Sequence, residues 1–289
     1  MTFRGLAYEE IAPGPAMADD IEYLWMVSAK VPLPTTFVRP SPGKSSLDLI
    51  ITLDGHFCAG AEQFLFGAKP HGAPYLVGPL SGSATLHTQG RCNAVGVKFR
   101  PGRGQAFFGV SMHEITDKVI DLAAVESAAE VGRLASAASD ATTAETRARA
   151  MEHVLEDFRS RRARKAGSNT IAAAMSLIER SRGTLEIAEL AGTVGIGPRQ
   201  LERLFRTTVG VTPKLACRIE RVRHAMKLVS SRRPGDWPNV IDACGFYDQA
   251  HFIREFRSIT GMTPARFSAG CTPTSHSYNT QVESSTTVG

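Results

Sequence analysis

Two short stretches of this 289-residue chain carry polar side chains in a pattern that suits contact with a polyanion. In the first, Leu201, Leu204 and Phe205 make an apolar side, while Arg199, Glu202, Arg203 and Arg206 fall on the other faces of a helix. In the second, Phe252 and Phe256 make the apolar side and Gln249, Ala250, His251, Ile253 and Arg254 are left to face outward. Outward arginines can read base edges or hold phosphate, and an outward Ile can meet a thymine methyl group. Arg206, Arg218 and Arg257 are candidates for phosphate contact. The two stretches are copies of one another: Arg203 matches Arg254, Phe205 matches Phe256, Gly210 matches Gly261 and Pro213 matches Pro264, each pair 51 positions apart. The alternative for Arg203 and Arg254 is the solvated surface of a helical bundle; the repeat, the glycine turns and the local charge argue against it.

Enzyme and metal chemistry find weaker support. A metal centre in a β-domain needs closely spaced histidines with a Glu. Here His56, His71, His87 and His113 stand apart, Glu62 follows His56 by six positions, and there is no His-x-His. The five cysteines, Cys58, Cys92, Cys217, Cys244 and Cys271, form no CxxC pair. Cys58 and Cys92 are a redox pair only if the fold brings them together. Gly102-Arg103-Gly104-Gln105 lacks the Lys-Ser/Thr of a phosphate-binding loop and reads as a tight turn. Arg100 and Arg103 are either a solvated turn or a contact for an anionic effector. No catalytic residue, metal or cofactor is expected.

Each copy needs two helices and a turn to position it. In the first, Leu185, Ile187, Leu190 and Ala191 face inward on a short helix, Gly195 permits a tight bend, and Pro198 suits the first turn of the next helix. In the second, the turn falls at Gly245 and Asp248 caps or opens the helix that follows. A longer helix from Pro213 towards Val229 joins the copies through the stripe Leu215, Ile219, Val222, Met226 and Val229. Arg218, Arg221, Arg223 and Lys227 lie outside that stripe, solvated or on phosphate. Two helices entering successive major grooves must stand about 34 Å apart. Charge follows the same division. Residues 1–117 hold 9 basic and 10 acidic side chains, residues 118–167 hold 9 and 8, and residues 168–289 hold 15 and 10, so the net +5 sits in the last third.

The rest of the chain is different in kind. Residues 1–115 are punctuated by Pro and Gly, with β-rich runs at Leu47–Leu53, Tyr75–Val77 and Ala94–Phe99, which predicts an antiparallel barrel or sandwich. Residues 117–165 switch to helical spacing, with Ile120, Leu122, Val125, Val131 and Leu134 in a first segment. Ala135–Thr146 reads as a loop or weak linker, and Arg147–Lys165 as a helix with Met151, Val154, Leu155 and Phe158 on one side. Gly167-Ser168-Asn169 marks the domain boundary, and 270–289 reads as a disordered tail. No apolar run of membrane-spanning length and no signal-peptide pattern occurs, so the expectation is a cytoplasmic protein without membrane contact.

With these residues in view, the last third resembles the AraC/XylS-type transcription regulators. The resemblance is carried by Gly245–Phe267 (GFYDQAHFIREFRSITGMTPARF) and Ile187–Pro213 (IAELAGTVGIGPRQLERLFRTTVGVTP), and covers Thr170 to Phe267. It implies two helix-turn-helix units on adjacent major-groove segments, with Arg199, Glu202 and Arg203 in the base-facing slots of the first and Gln249, Ala250, His251, Ile253 and Arg254 in those of the second. Gly197 departs from the pattern, standing where a Ser or Thr cap is usual. Ile241 stands where the second unit usually has Ala, which leaves open a local shift placing Ala243 in the packing slot. Arg39-Pro40, Pro42-Gly43, Gly96–Gly102 and Ala106–Val110 are similar to a cupin-like domain fused to this module in actinobacterial regulators.

The expectation is therefore a two-domain α+β protein. A cupin-like antiparallel β-barrel followed by helices spans 1–166 and senses an effector, dimerises, or both. An all-α domain with two helix-turn-helix units joined by a long helix spans 168–269, and the tail is 270–289. The function expected is sequence-specific, effector-responsive transcription regulation without catalysis. Its partners are double-stranded DNA through the major groove, a small-molecule effector, a second copy of the chain and, for an activator, RNA polymerase. The alternatives are a cupin-type metal-binding protein or enzyme with a helical appendage, and a constitutive DNA-binding protein whose first domain only dimerises.

Overall fold

The computed structural model describes residues 2–3, 6–29, 33–60, 72–162, 168–231 and 237–269. The N-terminal region is one antiparallel sheet built from β1 (Thr2–Phe3), β2 (Leu6–Ile11), β3 (Ile21–Ala29), β4 (Leu33–Ser41), β5 (Asp48–Gly60), β6 (Pro74–Val77), β7 (Ala84–Phe99) and β8 (Val119–Asp121). Its order is β1-β2-β3-β7-β5-β6-β8. The long β7 organises it. The β7 half from Asn93 to Phe99 pairs with β3, the half from Ala84 to Gly90 pairs with β4, and β5 runs along its other side.

The sheet is open, which corrects the expected cupin-like barrel. A barrel closes only when its two end strands pair with the right tilt and stagger. Here the path ends on β1 and β8, of two and three residues, and they are not partners. Even spacing of short strands is common to barrels and open sheets, so the sequence pattern does not encode closure. A second correction falls at Val119–Asp121, which the helical spacing of Ile120, Leu122 and Val125 assigned to a helix. It pairs with Tyr75–Val77 as an edge strand, and a single 3-10 turn follows at Leu122–Ala124.

One sheet face buries Leu24, Leu49, Ile51, Val95, Val97 and Phe99 under helices. These are α1 (Gln105–Phe108), α2 (Met112–Ile115), α3 (Ala128–Ser139) and α4 (Ala144–Ser160). The expected linker Ala135–Thr146 is thus mostly helical, because an alanine-rich stretch is a good helix former. The break is confined to four residues, and Thr143 restarts the chain by accepting the Thr146 amide (3.2 Å). Met151, Val154, Leu155 and Phe158 are buried on α4, the side its periodicity predicts. The other sheet face carries Trp25, Ile50, Tyr75, Val77 and Ala94.

The regular elements described in the C-terminal region are all helices. The region comprises α5 (Ser168–Arg180), α6 (Ile187–Thr193), α7 (Pro198–Thr208), α8 (Pro213–Ser231), α9 (Trp237–Cys244), α10 (Gln249–Thr260) and α11 (Pro264–Ser268). It holds two cores. Ile171, Ile178, Leu190, Leu201 and Phe205 meet Ala216 and Cys217 at the start of α8, while Val222, Met226 and Val229 meet Val240, Phe252, Phe256 and Phe267 further along it. Burial pushes the Cys217 thiol up to about 11. The expected tail at 270–289 and the residues 163–167 beside the expected boundary lie outside the described residues.

Gly96 tests the packing of the sheet. A β-carbon there would stand 2.2 Å from Cε2 of Trp25, whose ring covers the strand. Gly96→Ala should destabilise the fold by about 1–3 kcal/mol. Adding Trp25→Leu should recover part of that loss, as read by urea unfolding of the single and double variants. Purely additive losses would mean that the ring does not set the constraint.

Candidate nucleic-acid interface

The two helix-turn-helix units repeat in their local geometry as well as in sequence. Gly195 and Gly245 make the turns at φ +74 and +65, a region that side chains with a β-carbon seldom adopt. Gly210 and Gly261, at φ +87 and +76, end α7 and α10. Thr212 and Thr263 then cap the following helices, accepting the amides of Leu215 (3.2 Å) and Arg266 (3.3 Å), with Pro213 and Pro264 as the first helical residues. Two helix starts differ. Asp248 caps α10 by accepting the His251 amide (2.6 Å), whereas Gly197 offers α7 no side-chain cap. Ile241 is buried in its own slot and Ala243 is exposed, so the shift left open by the sequence does not occur.

Arg199, Glu202, Arg203 and Arg206 are all exposed on one side of α7, with Leu201 and Phe205 buried behind them. On α10, Gln249, Ala250, Arg254 and Arg257 are exposed, while Phe252 and Phe256 are buried. Two residues expected to face outward are half-buried. His251 sets its ring edge-on to Phe246 (5.7 Å between centroids) and accepts the Tyr247 amide at Nδ1 (3.4 Å), and Ile253 packs against the second core. Arg218 is engaged by the bidentate carboxylate of Glu255 (2.6 and 3.0 Å), which ties α8 to α10. Reading the sequence missed Tyr247, which is 92% exposed just before α10. Its only signal was an aromatic residue between the buried Phe246 and the capping Asp248.

Reading the sequence also missed how closely the sheet region meets both units. The Thr116 hydroxyl lies within hydrogen-bond distance of the Gly210 carbonyl (2.8 Å), and the Ser111 hydroxyl donates to Thr207 O (3.4 Å). A cleft of about 500 Å³ between His113 and α7 is lined by Arg199, Glu202, Arg203, Arg206 and Thr207. At α10 the Gly43 amide donates to Ile259 O (2.7 Å), and a β-carbon on Gly261 would stand 2.7 Å from Ser83 Oγ. A charged group completes the contact. Glu22 of β3 lies 3.7 Å from Lys98 of β7 and 3.4 Å from Arg223 of α8, and Arg223 also lies 3.4 Å from Glu220. Burial alone would lower the Lys98 pKa, but Glu22, Tyr23 and Asp48 hold it above the usual lysine range. Burial raises that of Glu220.

Among the described residues, no group of three His, Cys, Asp or Glu side chains is placed to hold a metal ion. The side chains of His56, Cys58, Glu62, His71, His87 and Cys92 lie outside the described residues. No helix among the described residues is long and apolar enough to cross a membrane.

Comparison with known proteins agrees with this geometry in the C-terminal region. Residues 190–270 match a helix-turn-helix domain family, and residues 9–121 match a family described as a domain of unknown function (DUF6597). The arabinose operon regulatory protein of Escherichia coli is 35% identical over 86 residues, covering 30% of this chain and 29% of that protein. The probable transcriptional regulator LumQ of Photobacterium leiognathi is 30% identical over 83 residues, covering 29% and 33%. The chain thus matches about a third or less of the length of these curated relatives. The crystal structure of apo ToxT from Vibrio cholerae aligns with 86% of this chain and 98% of its own, at 10% identity and a TM-score of 0.49. The curated relatives matched over this region are all named as regulators. The likeness to an actinobacterial cupin-like domain is not upheld: the match over 9–121 is to a family with no assigned function, and the sheet is open.

The unequal caps give a prediction. Asp248→Ala should cost about 1 kcal/mol of stability. Gly197→Ser, at an extended backbone of φ -69 and ψ 152, should add a few tenths of a kcal/mol. Chemical denaturation of both variants reads this directly. A loss on Gly197→Ser would mean that the serine hydroxyl does not reach the α7 amides.

Proposed function

We propose that the protein is a sequence-specific DNA-binding transcription regulator whose N-terminal region responds to an effector. The observation that carries this reading is the pair of repeated helices, α7 and α10, which present Arg199, Glu202, Arg203 and Gln249, Ala250, Arg254 at the surface of a region matching a helix-turn-helix family. The kinship with regulators of the arabinose operon type supports it.

In this reading α7 and α10 enter adjacent major-groove segments, and the exposed arginines donate to base edges. His251 and Ile253 contribute at the margin of α10, Ile253 through a thymine methyl. Arg206, Arg257 and the Tyr247 hydroxyl hold phosphate, and Arg218 acts through Glu255 unless DNA draws it away. Residues 1–166 form the sensing and dimerising unit, 168–269 the DNA-binding unit, and 270–289 a tail. The protein works in the cytoplasm, as a pair of chains, and as an activator would also meet RNA polymerase. Because the sheet region touches the ends of both α7 and α10, an effector that shifts this contact would change how the helices meet DNA.

The reading is tested by selecting genomic fragments with the full-length protein and comparing variants on the best fragment and on random DNA. Arg254→Ala and Arg199→Ala should each weaken cognate binding by about 1–3 kcal/mol and random binding less. Arg206→Ala should weaken both alike and flatten the salt dependence by about one unit of slope. No fragment enriched over random DNA would sink the regulator reading.

A further inference from the structure

The helix α4 and its C-terminal turn carry five described arginines besides the base-contact candidates, and four of them have a carboxylate partner. Arg149 pairs with Glu152 (2.7 Å), Arg159 with Asp20 (2.8 Å), Arg161 with Glu130, and Arg162 with Glu126. Arg147 is the exception. Its Nη2 donates to the Ala141 carbonyl (2.7 Å), its Nη1 meets only the Met26 thioether (3.6 Å), and its buried Nε has no partner. A guanidinium left partly buried with a sulfur, one carbonyl and no counter-charge is an expensive arrangement, since buried charges ordinarily find an opposite charge or several hydrogen bonds. Burial alone depresses its pKa, with no carboxylate offsetting that effect.

This arginine opens onto a cavity of about 640 Å³ at the end of the sheet that α3 and α4 leave uncovered. Its walls are Ala7, Met26, Leu53 and Ala94, with Ser28 and Asn93 among the polar groups. That size suits a small organic molecule, and a lining that mixes apolar with polar side chains can orient one. Glu9 and Asp54 also line it, so the cavity as a whole is not positive and an anion fits only where it is small enough to sit on Arg147 away from both carboxylates.

We infer that this cavity is the ligand site of the N-terminal region and takes a small organic monoanion. Its carboxylate is seated on Arg147 and its partly apolar body lies against Met26 and Leu53. The ligand supplies the counter-charge that the chain withholds from this one arginine, and the planar guanidinium offers a carboxylate two parallel donors. The inference rests on the effector-responsive reading above and gives it a ligand class.

The test uses the full-length protein and a matched pair of probes, sodium N-acetyl-leucine and the neutral N-acetyl-leucinamide, at equal ionic strength. Binding is read by calorimetry and by the shift in unfolding temperature. The wild type should bind the anion at least about tenfold more tightly than the amide. Arg147→Met should abolish that preference, and Arg147→Lys should keep part of it. Without ligand, Arg147→Met should unfold at the same or a higher temperature than the wild type, because a partly buried cation without a counter-charge has gone. If that variant does not fold, Ser28→Leu, which fills the cavity and leaves Arg147 in place, should block the anion equally. Equal binding of acid and amide, no binding of either at millimolar concentration, or unchanged binding of the acid by Arg147→Met would each overturn the inference. The regulator reading fails separately: ligand-free Arg147→Met should retain wild-type discrimination between cognate and random DNA. Absent discrimination in both proteins would sink that reading while the titration still answers for the cavity.

Discussion

The arrangement of the molecule depends on one short segment of the sheet region, residues 79–83, which touches the ends of both candidate recognition helices. At one end, Pro79 stands where a β-carbon on Gly210 would meet it at 2.9 Å, and at the other, Ser83 stands against Gly261. Between them, a β-carbon on Gly82 would lie 3.2 Å from the Ser258 carbonyl. The segment is itself braced. Asp117 accepts the Ser81 amide (2.7 Å) and hydroxyl (2.6 Å), and Leu80 exchanges backbone hydrogen bonds with Lys44 (2.8 and 2.9 Å). Asp117 adopts φ +57 to do this, a conformation that non-glycine residues rarely take and that its two hydrogen bonds offset. A strut of five residues thereby links two helix ends whose separation decides what they can contact.

The second link runs through α8. The first core ends on its Ala216 and Cys217 and the second begins on its Ile219, so the two units cannot rotate independently without opening one core or the other. Arg218 holds α10 to this helix through Glu255, and Arg223 holds the helix to β3 through Glu22. Half-buried ion pairs of this kind contribute modestly to stability, since desolvation offsets much of their attraction. What they do well is select a geometry, because each lost partner leaves a poorly hydrated charge behind.

The helix-turn-helix half was largely legible in the sequence, and the reasons are local. Helical spacing separated Leu201 and Phe205 from Arg199 and Arg203, the fixed offset of 51 exposed the repeat, and Gly195 and Gly245 marked the turns. His251 and Ile253 were harder, because helical spacing gives the direction of a side chain but not whether a neighbour such as Phe246 leans against it. The sheet was legible only in pieces. All of the runs at Tyr75–Val77 and Ala94–Phe99, and all but the first residue of Leu47–Leu53, lie in β6, β7 and β5, yet whether the ends of a sheet meet is decided by pairings distant in sequence. Ile120 shows the same limit on a small scale: three residues of edge strand carry too little pattern to be told from the start of a helix.

The open sheet also changes where a small molecule can be held. A closed barrel offers its interior, and in this open sheet the face away from the helices carries Trp25, Ile50 and Tyr75. Here the Trp25 ring lies so close over Gly96 that the two surfaces are in contact, and Tyr8 stacks on Trp25 with ring centroids 6.3 Å apart. That face is occupied by its own aromatic side chains and, further along, by the Lys98–Glu22–Arg223 cluster. The opposite face is covered by α3 and α4 except at the far end of β3 and β5, beyond the loop that joins those helices. The loop itself places Ala141 O on Arg147, so the break between α3 and α4 both uncovers the sheet and aims the cation at the uncovered part. Room for a ligand in this fold arises from where two helices stop, and not from the closure of strands.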